Sequence, residues 1–212
     1  PSTYDDGGNG VGNYCTLNST ANAGLVLSNG NLNFTGSGTG AKSALATIGA
    51  SSGKWYFEGT IVQASSGGNL GFGIQNQTFN APSGTQPQSN SYGWVVITSG
   101  SSSTFYKAHD GTWTSIGTYA AGDVIGIAVD IDAGKIWFAQ NGTWFSSGDP
   151  AAGTNAIYTN FTGTMIPYAY GYNTADIGIF NFGARSFAYT PPTGYKALNT
   201  FNLDDPTIDD PS

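Results

Sequence analysis

The stretch Asp123-Val124-Ile125-Gly126-Ile127-Ala128-Val129-Asp130-Ile131 sets Ile125, Ile127, Val129 and Ile131 on one side of an extended chain. Gly126, Ala128 and Asp130 fall on the other side. A period of two fits a strand with one buried face and no helix. Asp132-Ala133-Gly134 then turns the chain, Lys135-Ile136-Trp137-Phe138-Ala139-Gln140 returns, and Asn141-Gly142 ends the return. A single hairpin is not stable alone, so the rest of the chain must supply strands and a second layer.

The composition agrees. Gly, Ser, Thr and Asn supply 95 of the 212 residues, and only 9% are charged. Phe, Tyr and Trp together number 29, as many as Leu, Ile and Val combined. Aromatic rings therefore carry as much of the core as aliphatic chains do, and strong helix formers are scarce, which excludes a helical bundle. Further strands are expected around Ala44 to Ile48, Gly53 to Gln63, Leu70 to Gln75, Ser91 to Thr98, Thr104 to Ala108, Met165 to Tyr172 and Asp176 to Phe182. Asn29-Gly30 predicts a tight hairpin turn between Leu25 and Phe34, because both central residues of such a turn need positive φ. About ten short strands with turn signals and no helical period specify an all-β antiparallel sandwich. The reading divides the chain into an extended or coil segment over residues 1–23, the sandwich over 24–192, and a C-terminal arm or linker over 193–212.

At Gly53-Lys54-Trp55-Tyr56-Phe57-Glu58, Gly71-Phe72-Gly73-Ile74 and Ser91-Tyr92-Gly93-Trp94 the chain resembles the SPRY (B30.2-like) family. The resemblance continues through the Gly122 to Gly142 hairpin, Ile166-Pro167-Tyr168 and Ile179-Phe180-Asn181-Phe182-Gly183, in family order over about two thirds of the chain. It implies a bent two-sheet antiparallel sandwich of concanavalin-like jelly-roll type, with a ligand surface built from variable loops and no shared catalytic residue. The flanks, Asn13 to Asn18 and Gly194 to Phe201, are similar to those of SPRY modules in tailed-phage and prophage structural proteins. That second likeness implies a virion or extracellular surface, where low charge and abundant Ser, Thr, Asn and Gly are common.

The residues themselves offer little chemistry. His109 and Cys15 are each unique, so neither a His- or Cys-rich metal site nor a disulfide can form within one chain. Glu58 is the sole glutamate, which leaves no paired-glutamate strand motif for glycoside hydrolysis, and it reads as a structural hydrogen-bonding residue. Gly49-Ala50-Ser51-Ser52-Gly53 matches the nucleophile-elbow pattern but introduces a strand where that motif needs a strand-to-helix turn. No catalytic residue, metal or cofactor is expected. The net charge of −7 and six scattered basic residues exclude a phosphate-binding stripe, so nucleic acid is not a partner. No apolar run approaches the roughly 18 residues of a spanning helix, so no membrane span is expected.

Recognition is left to aromatic side chains at loops and strand ends. Trp113, Trp144 and Tyr92 are the candidate ligand-binding residues, since a partly exposed ring stacks on a sugar or anchors a protein. Trp137 alternates out of phase with Ile136 and Phe138, and is expected to face solvent or a second copy. Phe201, Leu203 and Ile208 lie in the C-terminal segment and are expected to dock on another copy. The function expected is a non-enzymatic module binding a glycan or a protein, with a self-assembling structural subunit as the alternative and a carbohydrate-active enzyme as the lesser one.

Overall fold

A computed structural model describes residues 13–77 and 91–203. Among the described residues fifteen strands form two antiparallel sheets in a bent sandwich that does not close into a barrel. The first sheet has seven strands, in the order β1 (Leu17–Asn22), β4 (Lys42–Ala46), β13 (Met165–Gly171), β6 (Leu70–Asn76), β7 (Gly93–Ser99), β8 (Thr104–His109) and β9 (Thr112–Thr118). The second runs β12 (Thr143–Trp144), β11 (Lys135–Gln140), β10 (Val124–Asp130), β5 (Lys54–Gln63), β14 (Ile177–Asn181), β3 (Asn33–Thr35) and β2 (Val26–Ser28). A two-residue strand, β15 (Lys196–Ala197), adds in parallel to Trp55 and Tyr56, on the part of β5 that β14 leaves free.

The expected hairpin is the centre of the second sheet. Ile127 pairs with Phe138 and Phe57, and Val129 with Ile136 and Trp55. Between the sheets Phe34, Phe57, Phe72, Phe180 and Phe182 form one aromatic cluster, with centroids 5.6 Å apart for Phe34 and Phe72, and 5.3 Å for Phe72 and Phe180. Two strand glycines make room for these rings. A Cβ on Gly59 would lie 2.3 Å from the Phe72 ring, and one on Gly178 would lie 2.4 Å from Phe34. Close packing at this density tolerates no such overlap.

Alternation alone places the opposite face of β10 and β11 in solvent, and here the structure corrects it. Trp137 is 0% exposed, with its Nε1–H donating to the Thr154 carbonyl at 2.7 Å. It packs with Tyr56, Ala128 and Tyr195 beneath a third layer made by residues 145–158 and 185–199. Trp137 is therefore no assembly surface: burial of its indole within its own chain accounts for its phase. Asp130, on the same face, is buried too and pairs with Lys54 at 3.1 Å. Glu58 fastens the layer. Its carboxylate accepts the Tyr56 hydroxyl at 3.0 Å and the main-chain N–H groups of Ala188 and Tyr189 at 2.9 Å. That is the structural role expected of it.

The flanks differ from expectation as well. Residues 17–22, read as coil, form the edge strand β1, and Leu17 is fully buried. The C-terminal flank returns beside it: Cys15 N–H donates to the Leu198 carbonyl at 3.1 Å, and Thr200 N–H to the Asn13 carbonyl at 3.0 Å. Leu198 joins the main core and Leu203 packs against it, while Phe201 is half-buried. The Leu203 side chain is thus partly covered within its own chain. Ile208 lies outside the described residues. The Asn29-Gly30 turn is also longer than expected. Ser28 pairs with Asn33, so four residues intervene, and Asn29, Gly30 and Asn31 all take positive φ. Asn141-Gly142 does form the two-residue turn.

Val129 is 2% exposed in this core, so Val129→Asp buries a carboxylate with no partner. The expected cost is on the order of 5 kcal/mol, close to the whole stability of a small domain. Urea denaturation should show the variant unfolded or nearly so, and an unchanged midpoint would refute the strand phase.

Candidate binding surface

The outer face of the seven-stranded sheet, buried at its centre, can be read strand by strand from its register. Leu45, Tyr168, Gly73, Val95, Ala108 and Trp113 stand opposite one another across β4, β13, β6, β7, β8 and β9. Ser43, Tyr170, Gly71, Ile97, Tyr106 and Ser115 form the next row. Directly opposed residues share a face, so both rows lie on the outer surface of the seven-stranded sheet. Val95, Ile97, Ala108, Tyr168 and Tyr170 are buried there, and Leu45, Tyr106, Trp113 and Tyr172 are half-buried around them. Trp113 meets Tyr106 edge-to-face with centroids 5.9 Å apart. Neither row contains a charged residue.

Two buried tyrosines of this face, Tyr168 and Tyr170, are held in their neutral form. Burial pushes Tyr170 well above the usual phenol range, with the neighbouring Tyr172 and Asp176 adding to the effect. Burial does the same to Tyr168, reinforced by Tyr170. The Tyr170 hydroxyl is buried without a hydrogen-bond partner. An unsatisfied buried hydroxyl costs about 1–3 kcal/mol, so this face carries a polar group whose bonding capacity is unused.

Loops frame the two ends of the sheet. At one end the buried Asp176 carboxylate gathers two segments, the Ser65 to Asn69 turn and the Tyr172-Asn173 stretch. It accepts Ser65 N–H at 2.9 Å and its hydroxyl at 2.8 Å, Asn69 N–H at 3.2 Å, Tyr172 N–H at 2.9 Å and Asn173 N–H at 2.7 Å. The Gly100 N–H closes the knot on the Gly68 carbonyl at 2.8 Å. At the other end His109 stacks on Trp94, centroids 4.8 Å apart, and its Nδ1 lies 2.9 Å from the Gly93 carbonyl. Lys107 stands 5.3 Å over the Tyr158 ring, which also meets His109 edge-on.

The three candidate ligand residues do not converge. Trp113 lies on the outer face just described. Trp144 packs against the third layer on the opposite side of the sandwich, in the cluster of Tyr56 and Trp137. Tyr92, 41% exposed, precedes β7 at the His109 end. The sequence reading missed Tyr106, Tyr168, Tyr170 and Asp176. The Tyr168-Ala169-Tyr170 alternation was a visible signal for a strand with two aromatics on one face. Asp176, within Asn173-Thr174-Ala175-Asp176, carries no local mark of its role.

Nucleophilic chemistry finds no support in the geometry. Cys15 sits in the core between Thr47, Ile48 and Leu198, and His109 lies in a different setting against Trp94. Burial pushes the Cys15 thiol up to about 11, despite hydrogen bonds from its neighbours that oppose the shift. Among the described residues no group of three His, Cys, Asp or Glu could hold a metal ion, and no helix is long and apolar enough to cross a membrane.

The SPRY domain pattern matches residues 54–185, and the chain belongs to that family. It is a non-catalytic SPRY-fold protein-interaction module. Its fold is similar to the SPRY domain of human HERC1, with a TM-score of 0.58 at 18% identity, covering 77% of this chain and 94% of that one. The TRIM65 PSpry domain gives 0.61 at 12% identity, covering 79% and 92%. Stonustoxin gives 0.55 at 18% identity over 84% of this chain and 30% of its own. No curated protein matches the chain.

Two outcomes follow. Asp176→Ala strips a shared acceptor from several buried donors and should cost about 3 kcal/mol, read as a fall in the urea midpoint. A midpoint unchanged within error would mean that water replaces the carboxylate freely. For Cys15, a disulfide-exchange reagent at pH 8 should label the folded chain only at the rate of its opening, with fast labelling restored in denaturant. Rapid labelling of the native protein would contradict the burial.

Proposed function

We propose that this chain recognises a protein partner through the outer face of its seven-stranded sheet, with Tyr106 and Trp113 as the accessible anchors. The observation that carries the reading is the pair of aromatic, charge-free rows on that face, rimmed by loops that Asp176 holds in place. Half-buried aromatic side chains beside fully buried ones give a surface that loses little entropy on binding and buries large areas. The absence of charge in either row favours an apolar, shape-complementary partner over an acidic or basic one.

A glycan is the second reading, favoured by Trp113 with the Ser115 hydroxyl on the same face of β9. A virion or extracellular setting is supported by the low charge and by the likeness of the two flanks to phage structural modules. These flanks are paired to each other in the fold, through Cys15 with Leu198 and Asn13 with Thr200.

The test is a comparison of wild type with the double variant Tyr106→Ala, Trp113→Ala, using Val26→Ser on the second sheet as a surface control. Proteins retained by wild type and the control but lost by the double variant are purified and measured by calorimetry. Each anchor should be worth about 1–2 kcal/mol, so the pair should weaken binding by roughly a hundredfold. The melting temperature should fall only slightly. Equal binding by the double variant would move the site elsewhere, and selective loss of a glycan-array signal would decide for the second reading.

A further inference from the structure

β9 ends the seven-stranded sheet, so among the described residues no strand lies beside one flank of its backbone. The hairpin to β8 fixes which groups are left over. Asp110 and Gly111 form a two-residue turn with φ of 49° and 71°, and His109 pairs with Thr112. In such a hairpin the flanking pair exchanges both of its hydrogen bonds, and pairs then alternate. Thr112 and Thr114 therefore turn their main-chain groups inward to β8, while Trp113 and Ser115 turn theirs outward. Beyond Ser115 the register shifts, and Gln140 Nε2 donates to the Thr118 carbonyl at 3.0 Å, which closes that end. The open edge is residues 112–116.

Natural sheets guard open edges with lysine, proline, inward charges or very short strands. This edge has none of these over Thr112-Trp113-Thr114-Ser115-Ile116, and Thr112, Thr114 and Ser115 are exposed. We propose that the β9 edge is a self-association surface, on which two copies pair antiparallel about a two-fold axis at Thr114 and join their seven-stranded sheets into one.

The occupant follows from symmetry and charge. The outward groups of Trp113 and Ser115 are spaced equally about Thr114, so a two-fold axis there sets Trp113 opposite Ser115 of the partner subunit, and the reverse. Each outward donor then meets an outward acceptor, which is the self-complementarity an isologous contact requires. A chain of net charge −7 resists meeting itself unless the contact is uncharged, and this edge is uncharged. A basic peptide, the partner such a chain attracts most, would find no acid on it. The two Trp113 residues would be diagonal neighbours about 7–8 Å apart, within reach of each other's indole. The outer faces of both copies would merge into one aromatic surface. This inference is independent of which partner that face takes.

Sedimentation velocity on the whole chain, across a concentration series, tests it. Wild type should pass from monomer to dimer as concentration rises. Ser115→Pro removes an outward N–H at an edge position where proline is tolerated, and should remain monomeric. Thr114→Lys and Thr114→Asp each place like charges face to face on the axis and should be monomeric alone, with circular dichroism unchanged. Mixed one to one, they should dimerise again. Wild type that stays monomeric to its solubility limit overturns the proposal. So does a dimer that survives Thr114→Lys, since it would use another surface.

Discussion

The second sheet is buried on both faces along β5, β10 and β11, and that condition governs the rest of the structure. A strand covered on one side can leave its other side in water. Once Tyr56, Ala128 and Trp137 occupy the outer side, something must cover them, because a bare patch of that kind invites association. The cover comes from residues 145–158 and 185–199, which have little regular structure and so bring unpaired backbone groups with them. Glu58 resolves this. Its side chain rises from the middle of β5 and accepts the N–H groups of Ala188 and Tyr189, converting donors that would be costly to bury into charge-assisted hydrogen bonds. Trp137 and Tyr195 do the converse, donating to the carbonyls of Thr154 and Pro150.

The two outer faces are therefore unequal, and the inequality separates stability from recognition. One face is spent on holding the chain's own irregular segments. The other has fully buried residues at its centre, among them a tyrosine hydroxyl without a partner, and half-buried aromatics around them. Acidic residues follow the same division. Glu58, Asp130 and Asp176 are all buried and hold loops or strand ends, whereas the two central rows on the outer face of the seven-stranded sheet contain no acid. Buried acid in this protein serves the scaffold, and the face proposed for recognition is left to shape and hydroxyl chemistry.

What the sequence made legible was whatever is encoded by neighbours along the chain. The hairpin of β10 and β11 is written in the alternation of Ile125, Ile127 and Val129, and its closing turn in Asn141-Gly142. The family blocks mark the core rings Phe57, Phe72 and Phe180. Trp137 was misread because alternation reports a second face but not whether it is wet. Its cover arrives partly from Tyr195, far along the chain. The strands β1, β9 and β15 carry many polar residues or are very short, so pairing partners rather than propensity make them strands. Asp176 is illegible for the same reason: its donors come from Ser65, Asn69, Tyr172 and Asn173, which no local pattern connects. The candidate Trp113 was found because it is an aromatic beside a turn, and its companions Tyr106, Tyr168 and Tyr170 needed the sheet register to be placed with it.

Family membership fixes the sandwich but not the partner, since similar scaffolds at 12–18% identity share a chain path and few surface residues. The discriminating features must then lie where this chain departs from what the scaffold requires. Core rings and the glycines that admit them are required by packing, and the Glu58 and Asp176 clusters by the need to satisfy buried donors. The half-buried Tyr106 and Trp113 are required by neither. They stand at the edge of the sheet, on strands whose hairpin would form with threonine or valine in their place. Large aromatic side chains held part-way out of water, on a face with no charge to keep it solvated, are costly unless something covers them. That cost is the physical ground for the recognition surface proposed on the outer side of β8 and β9, with the rest of the sandwich holding it still.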